Sequence, residues 1–233
     1  MKTSDKGIAA LMQHEGIVPG PYFDSKGVQT YGIGHTKAAG VPDPAAMPAG
    51  MPKDLDAEVG RVFEVFAADL PKYEADVDRA ITVPVTQHEF DAAVSFHFNT
   101  GAIGTATWVE TLNAGDRDKA AAQIMNWSKP PEIIPRREAE QRLFRDGIYP
   151  DGQIVVWRVN AARKVVWTPA KTLSHDEALK LMGGDDDSGS IAHPLPEEQP
   201  SDRHVSPLIV IGVTIGGVVA VGISWVIQFF TGG

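Results

Sequence analysis

The chain contains no cysteine, so it can build neither a disulfide framework nor a thiolate metal site. Its seven histidines are scattered, and none falls in an HExxH pattern. No metal and no cofactor are expected. Positive charge is also scarce. Lys and Arg total 21 against 30 Asp and Glu, a formal charge of −9, which argues against general nucleic-acid binding. Export by a conventional signal peptide is not expected either: the first apolar run is broken by Glu15 and no cleavage-site pattern follows. No internal repeat is evident.

What is present is 233 residues, enough for one domain of about 150 residues with appendages. The first informative segment is a helix that Ser4 or Asp5 can cap, with Ile8, Leu11 and Met12 on one apolar stripe. Glu15 follows Met12 and Leu11 by three and four residues, so it extends that stripe. A carboxyl group at the edge of an apolar face is partly desolvated, which raises its pKa and favours the protonated form a general acid requires. Gly16 supplies the helix stop.

Pro19-Gly20-Pro21 then punctuates the chain, and Tyr22-Phe23-Asp24 and Val28 to Ile33 read as two short strands. The loop between them is Ser25-Lys26-Gly27, with Gly27 taking the positive φ of a three-residue hairpin turn. That odd length places Asp24 opposite Val28 and Tyr22 opposite Thr30. Asp24 and Thr30 then project from one face, as diagonal neighbours about 7–8 Å apart. Each residue alone has an ordinary explanation: Glu15 as a solvated charge, Asp24 as a turn former and Thr30 as a strand residue. Their joint spacing, within a run that continues Tyr31-Gly32-Ile33-Gly34-His35, does not.

Glu15, Asp24 and Thr30, separated by eight and five residues, together with that glycine-flanked run, resemble the phage-type lysozymes, muramidases of glycoside hydrolase family 24 that include endolysins. Further motifs extend the resemblance over about residues 5–147. Thr86 to Ala92 leads into Ser95-Phe96-His97-Phe98-Asn99-Thr100-Gly101, which looks like the family's central helix and its Phe-Asn-x-Gly turn. Trp108 to Asn113 and Asp116 to Trp127 look like the two following helices, and Ile134 to Glu140 with Leu143-Phe144 closes the domain. Asp91, Ala92, Phe96 and Phe98 are expected in core and cap positions.

The resemblance implies an α+β, mainly α fold, with a small β-hairpin lobe and a helical lobe. It also implies hydrolysis of the β-1,4 bond between N-acetylmuramic acid and N-acetylglucosamine in peptidoglycan. Glu15 would donate the proton while Asp24 and Thr30 hold a water on the opposite face of the sugar. Inverting glycosidases keep their carboxyl groups about 6.5–9.5 Å apart to admit that water. His35 is expected to hydrogen-bond a carboxylate. Arg136, Arg137, Arg142 and Arg145 read as a solvated helix face partnered by Glu138 and Glu140.

The remaining chain divides by composition. Residues 36–53, rich in Ala, Pro and Gly, read as an extended loop, and Asp54 to Ala80 as a helix anchored by Val59, Phe63, Phe66 and Leu70. The catalytic domain is expected to span 1–147. Residues 148–182 read as a hairpin (Gln153 to Val159 and Lys164 to Trp167) and a helix started by a Ser174-x-x-Glu177 capping box. They are expected to pack on the domain and not to form a separate wall-binding module. Residues 183–207, with Asp185-Asp186-Asp187, Glu197-Glu198 and several prolines, read as an acidic linker.

Leu208 to Phe230 carries no charge and is long enough, at about 1.5 Å per residue, to cross a hydrocarbon core of about 30 Å as one transmembrane helix. Gly212, Gly216, Ala220 and Ser224 form a small-residue stripe on it, which suits a helix–helix dimer. Arg203, the nearest basic residue, favours a cytoplasmic catalytic domain under the positive-inside bias. The expectation is a tail-anchored endolysin of the bacterial inner membrane, held back from the wall until a holin-like partner opens the membrane. Two rivals remain open: a lytic transglycosylase, which needs no Asp24–Thr30 water, and an inactive glycan-binding protein on the same scaffold.

Overall fold

The computed structural model describes residues 1–183. The expected linker beyond them and the expected membrane span 208–230 lie outside the described residues. Among those described, no helix is long and apolar enough to cross a membrane.

The architecture is mixed α+β, with a helical lobe and a small β lobe. Helix α1 (Asp5–Glu15) leads into a three-stranded antiparallel sheet of β1 (Val18–Phe23), β2 (Gln29–Gly32) and β3 (His35–Thr36). Ser4, not Asp5, caps α1, its hydroxyl accepting from Gly7 N at 3.1 Å. Residues 36–53 are not wholly extended, because short 3-10 turns form at Lys37–Ala39 and Pro44–Ala46. The long α2 (Leu55–Ala80) then runs from the sheet to the helical lobe of α3 (Gln87–Thr100), α4 (Thr107–Asn113), α5 (Arg117–Ile124) and α6 (Ile134–Asp146).

Helix α3 is the centre of that lobe. Every residue from Glu89 to Asn99 is buried, so it has no solvent face beyond its ends. A reciprocal Thr86–Glu89 capping box starts it, and Gly101 in the left-handed conformation ends it. Phe96 packs edge-on against Trp108 at 5.3 Å, and Trp108 against Phe144 at 5.6 Å, which ties α3, α4 and α6 together. Asp91 is a polar anchor there. It accepts from Ser4 N, Ser4 Oγ, Gln87 Nε2 and Tyr149 Oη, and so holds the start of α1 on α3.

The sequence reading starts the first strand at Tyr22, but β1 begins at Val18 and passes through Pro19-Gly20-Pro21. The pairing with β2 shifts register between Val18 and Tyr22, so the prolines, which have no N–H to donate, occupy an irregular stretch. The outer edge of β1 is covered from far along the chain. Strands β4 (Ile154–Val159) and β5 (Val165–Leu173) form a hairpin, and Val156 pairs in parallel with Ile17. Ile17 N donates to Val155 O at 2.9 Å and Trp157 N to Ile17 O at 2.8 Å, while Phe23 N reaches Arg163 O at 3.0 Å. Arg163 also donates to the carbonyls of Pro44, Ala45 and Met47, which fixes the 36–53 loop. Helix α7 (His175–Leu181) starts from the Ser174–Glu177 capping box and returns to α1, where His175 Nε2 meets Gln13 Oε1 at 3.0 Å.

Candidate active site

Glu15 is the last residue of α1, on the face that buries Ala9, Ala10, Leu11 and Met12, and is itself 7% exposed. Gly16 ends the helix with φ +68°, and its N–H returns to Met12 O at 2.8 Å. Only glycine fits comfortably there. The left-handed conformation disfavours a side chain, and a Cβ would stand 2.7 Å from Trp157 Nε1.

The Glu15 carboxylate does not face apolar side chains alone. Arg136 Nη1 donates to Glu15 Oε1 at 2.5 Å, while Arg136 Nε donates to Glu140 Oε1 at 2.9 Å and Nη2 to Ser95 O at 3.1 Å. Ser95 Oγ adds a bond to Glu140 Oε1 at 2.7 Å. Arg137 lies 2.7 Å from Glu140 Oε2 and donates to Asn99 Oδ1. Arg136, Arg137 and Glu140 therefore are not on a solvated helix face: all are buried, with Arg137 at 0% and Glu140 at 1% exposure. Only Arg142, Arg145 and Glu138 stay exposed, with Arg145 paired to Asp146. Spacing along α6 shows that Arg136 and Glu140 share a face, but not that the face turns inward against Ser95.

Burial raises the Glu15 pKa above the usual carboxylate range. The charge and hydrogen bond of Arg136 oppose that, Glu140 adds to it, and the net shift is upward. Burial and the Arg136 guanidinium thus act on this carboxyl in opposite senses, and one of its oxygens is held by Arg136.

The hairpin supplies the other two residues in the expected register. Tyr22 pairs with Thr30, and Asp24 N donates to Val28 O at 3.0 Å across the Ser25-Lys26-Gly27 loop, where Gly27 has φ +77°. Asp24 Oδ1 accepts from Lys26 N at 2.9 Å and Val28 N at 2.8 Å, so the turn fixes the carboxylate. Among the described residues, Oδ2 accepts no hydrogen bond. Thr30 is fully buried and donates from Oγ1 to Val28 O at 3.2 Å.

Tyr22 is a buried residue of β1. It lies opposite Thr30, and after burial the charges that push its pKa up are those of Glu15 and Asp24. From the sequence, Tyr22 and Ser95 were not singled out for the site and Arg136 and Glu140 were read as solvated, because strand pairing and the inward turn of α6 are tertiary facts. His35 does meet a carboxylate: Nδ1 is 2.8 Å from Asp69 Oδ2, and Nε2 is 2.8 Å from Pro42 O. Among the described residues, no group of three or more His, Asp or Glu is placed to hold a metal ion.

The phage lysozyme family model matches residues 12–140. The endolysin of Acyrthosiphon pisum secondary endosymbiont phage 1 is 32% identical over 155 residues, covering 62% of this chain and 98% of that protein. The endolysin of Salmonella phage P22 is 33% identical over 150 residues, with the same coverage of both. The solved endolysin from Escherichia coli O157:H7 phage FAHEc1 superposes with a TM-score of 0.55 at 31% identity, covering 64% of this chain and 97% of that one.

Proposed function

Because the chain belongs to the phage lysozyme family, we propose that it hydrolyses the glycan strand of peptidoglycan between N-acetylmuramic acid and N-acetylglucosamine. The observations that support the reading are the buried Glu15 carboxyl held by Arg136 and the hairpin register that sets Asp24 and Thr30 on one face. Glu15, its pKa raised, protonates the glycosidic oxygen. Asp24 Oδ2, left open by the turn, accepts a proton from the attacking water, and the Thr30 oxygen orients that water. Attack from the face opposite the leaving group inverts the anomeric centre. Arg136 positions the Glu15 carboxyl and is not itself a proton donor.

The direct test is incubation of the purified full chain with peptidoglycan sacculi. Reducing muramic acid ends with inverted anomeric configuration are expected. Anhydro ends would make it a lytic transglycosylase, and no cleavage would leave a glycan-binding scaffold.

The uncharged run Leu208–Phe230 supports a membrane-tethered form of this enzyme, with helix pairing through Gly212 and Gly216. Arg203 supports holding the catalytic domain on the cytoplasmic side until a holin-like partner opens the membrane. Protease added to intact spheroplasts should then spare the catalytic domain. Digestion before any lysis trigger would place the domain outside.

A further inference from the structure

The proposed chemistry leaves an aromatic pair beside Glu15 unused. Trp157 on β4 and Trp167 on β5 meet edge to face, with ring centroids 5.4 Å apart and planes at 77°. Trp157 packs against the small cluster of Val18, Tyr22 and Val159, and its Nε1 closes on Gly16, the residue after Glu15. Trp157 therefore abuts the residue that follows Glu15 and packs on the cluster that contains Tyr22. Trp167 continues that wall outwards and is 43% exposed. Val166, Thr168 and Pro169 beside it on β5 are exposed as well.

Val166 and Trp167 are adjacent and both exposed, and a contiguous apolar patch of this kind marks an interaction surface. Charge narrows the choice. Residues 152–173 carry Arg158, Arg163, Lys164 and Lys171 and no acid, in a chain of net charge −9. Arg163 is committed to the loop carbonyls and Lys171 to Asp56 at 2.8 Å. Arg158 and Lys164 are exposed and, among the described residues, form no ion pair. The hairpin is also held in place before any ligand arrives, through Ile17 at one end and Phe23 at the other. Little ordering entropy would then be lost on binding.

We propose that Trp157 and Trp167 form an additional saccharide subsite that extends the glycan site beyond Glu15. The apolar C–H face of an N-acetylated aminosugar lies on the Trp167 indole, while Arg158 and Lys164 meet the acidic groups that hang from the strand. This rests on the glycan-hydrolase reading. The family match stops at residue 140, ahead of β4, so the subsite belongs to a part of the chain outside that match.

The test uses the full chain in detergent micelles. An N-acetylglucosamine hexamer is titrated calorimetrically into Glu15→Gln protein, with and without Trp167→Ala or Trp167→Phe. Trp167→Ala should weaken hexamer binding about five-fold, equivalent to about 1 kcal/mol, and Trp167→Phe should restore most of it. With Glu15 intact, Trp167→Ala should raise KM on long glycan strands by a similar factor, leaving kcat and the binding of an N-acetylglucosamine trimer unchanged. Unaltered hexamer binding in Trp167→Ala overturns the subsite. So does a loss confined to phosphatidylglycerol vesicles, which would make the patch a lipid contact. Because the titration needs no turnover, its outcome is separate from whether sacculi are cleaved, which tests the underlying reading.

Discussion

Arg136 Nη1 sits 2.5 Å from Glu15 Oε1, and the same guanidinium reaches Glu140 and the Ser95 carbonyl. The proposed acid is thus attached to the helical lobe although it belongs to the helix that enters the β lobe. A buried ion pair of this kind is a poor source of net stability, since desolvation offsets much of the attraction. Its value is direction. It keeps one carboxyl oxygen engaged and opposes the upward pKa shift that burial alone would give.

Glu15→Gln should abolish hydrolysis of sacculi while leaving the circular dichroism spectrum unchanged. The amide keeps the volume and an oxygen for Arg136 but has no proton to give. General acid catalysis contributes typically about 10²–10⁴-fold. A fall of less than ten-fold in released reducing ends would remove Glu15 from the acid role.

Arg136→Lys addresses positioning. Arg136 holds the Glu15 pKa down against burial, so a lysine that reaches the carboxylate less well lets it rise further. The alkaline limb of kcat/KM, where the general acid loses its proton, should move to higher pH. A purely structural role would lower activity at every pH and leave the limb in place.

Deletion of Lys26 shortens the Ser25-Lys26-Gly27 loop to two residues and turns Thr30 to the other face of the sheet. Turnover should collapse while the cooperative thermal transition persists, because the aromatic packing of Phe96, Trp108 and Phe144 lies in the helical lobe, away from the shortened turn. Activity equal to that of the parent would show that Thr30 need not face Asp24.

That hairpin was legible in the sequence because its register is local: the loop length and Gly27 set it without help from the rest of the chain. The Ser174–Glu177 capping box of α7 was legible for the same reason. The cover over β1 was not, because Ile17 and Val156 are far apart in the sequence, with the whole helical lobe between them. The buried Arg136–Glu140 pair was missed for a different reason. Oppositely charged residues four apart on a helix describe a solvated face and a desolvated one equally well, and only the packing of α6 on α3 separates the two.

Two His–Asp pairs should give stability opposite slopes with pH. At His35 burial works against the cation, but the hydrogen bond and charge of Asp69, with the Pro42 carbonyl, outweigh it and push the pKa up. The stability this contributes is complete below about 6.5, the ordinary histidine value, and is lost as pH rises through the folded value. At His97 burial wins over Asp76 and the pKa falls, so stability is lost as pH drops below about 6.5 through the folded value. His35→Asn should remove the alkaline decline in Tm and spare the acid one. A parallel loss of Tm across pH 5 to 8 would contradict that assignment.

Gly16→Ala should destabilise the protein and slow turnover together. The positive φ costs about 1 kcal/mol for a residue with a side chain, and Trp157 must also move. Scanning calorimetry and the sacculus assay should both register the change. An unchanged melting temperature would mean that the indole yields freely.

The pairing of Ile17 with Val156 also orders events during synthesis. Closing that contact joins ends separated by roughly 140 residues, an entropic cost that grows slowly with length and must precede the two backbone bonds that reward it. The helix bearing Glu15 leaves the ribosome first, yet the strand that bridges to Ile17 beside it comes late among the described residues. A nascent chain therefore carries the acid, the turn and the threonine long before it owns the walls around them. Maturity of the site is timed by the emergence of β4.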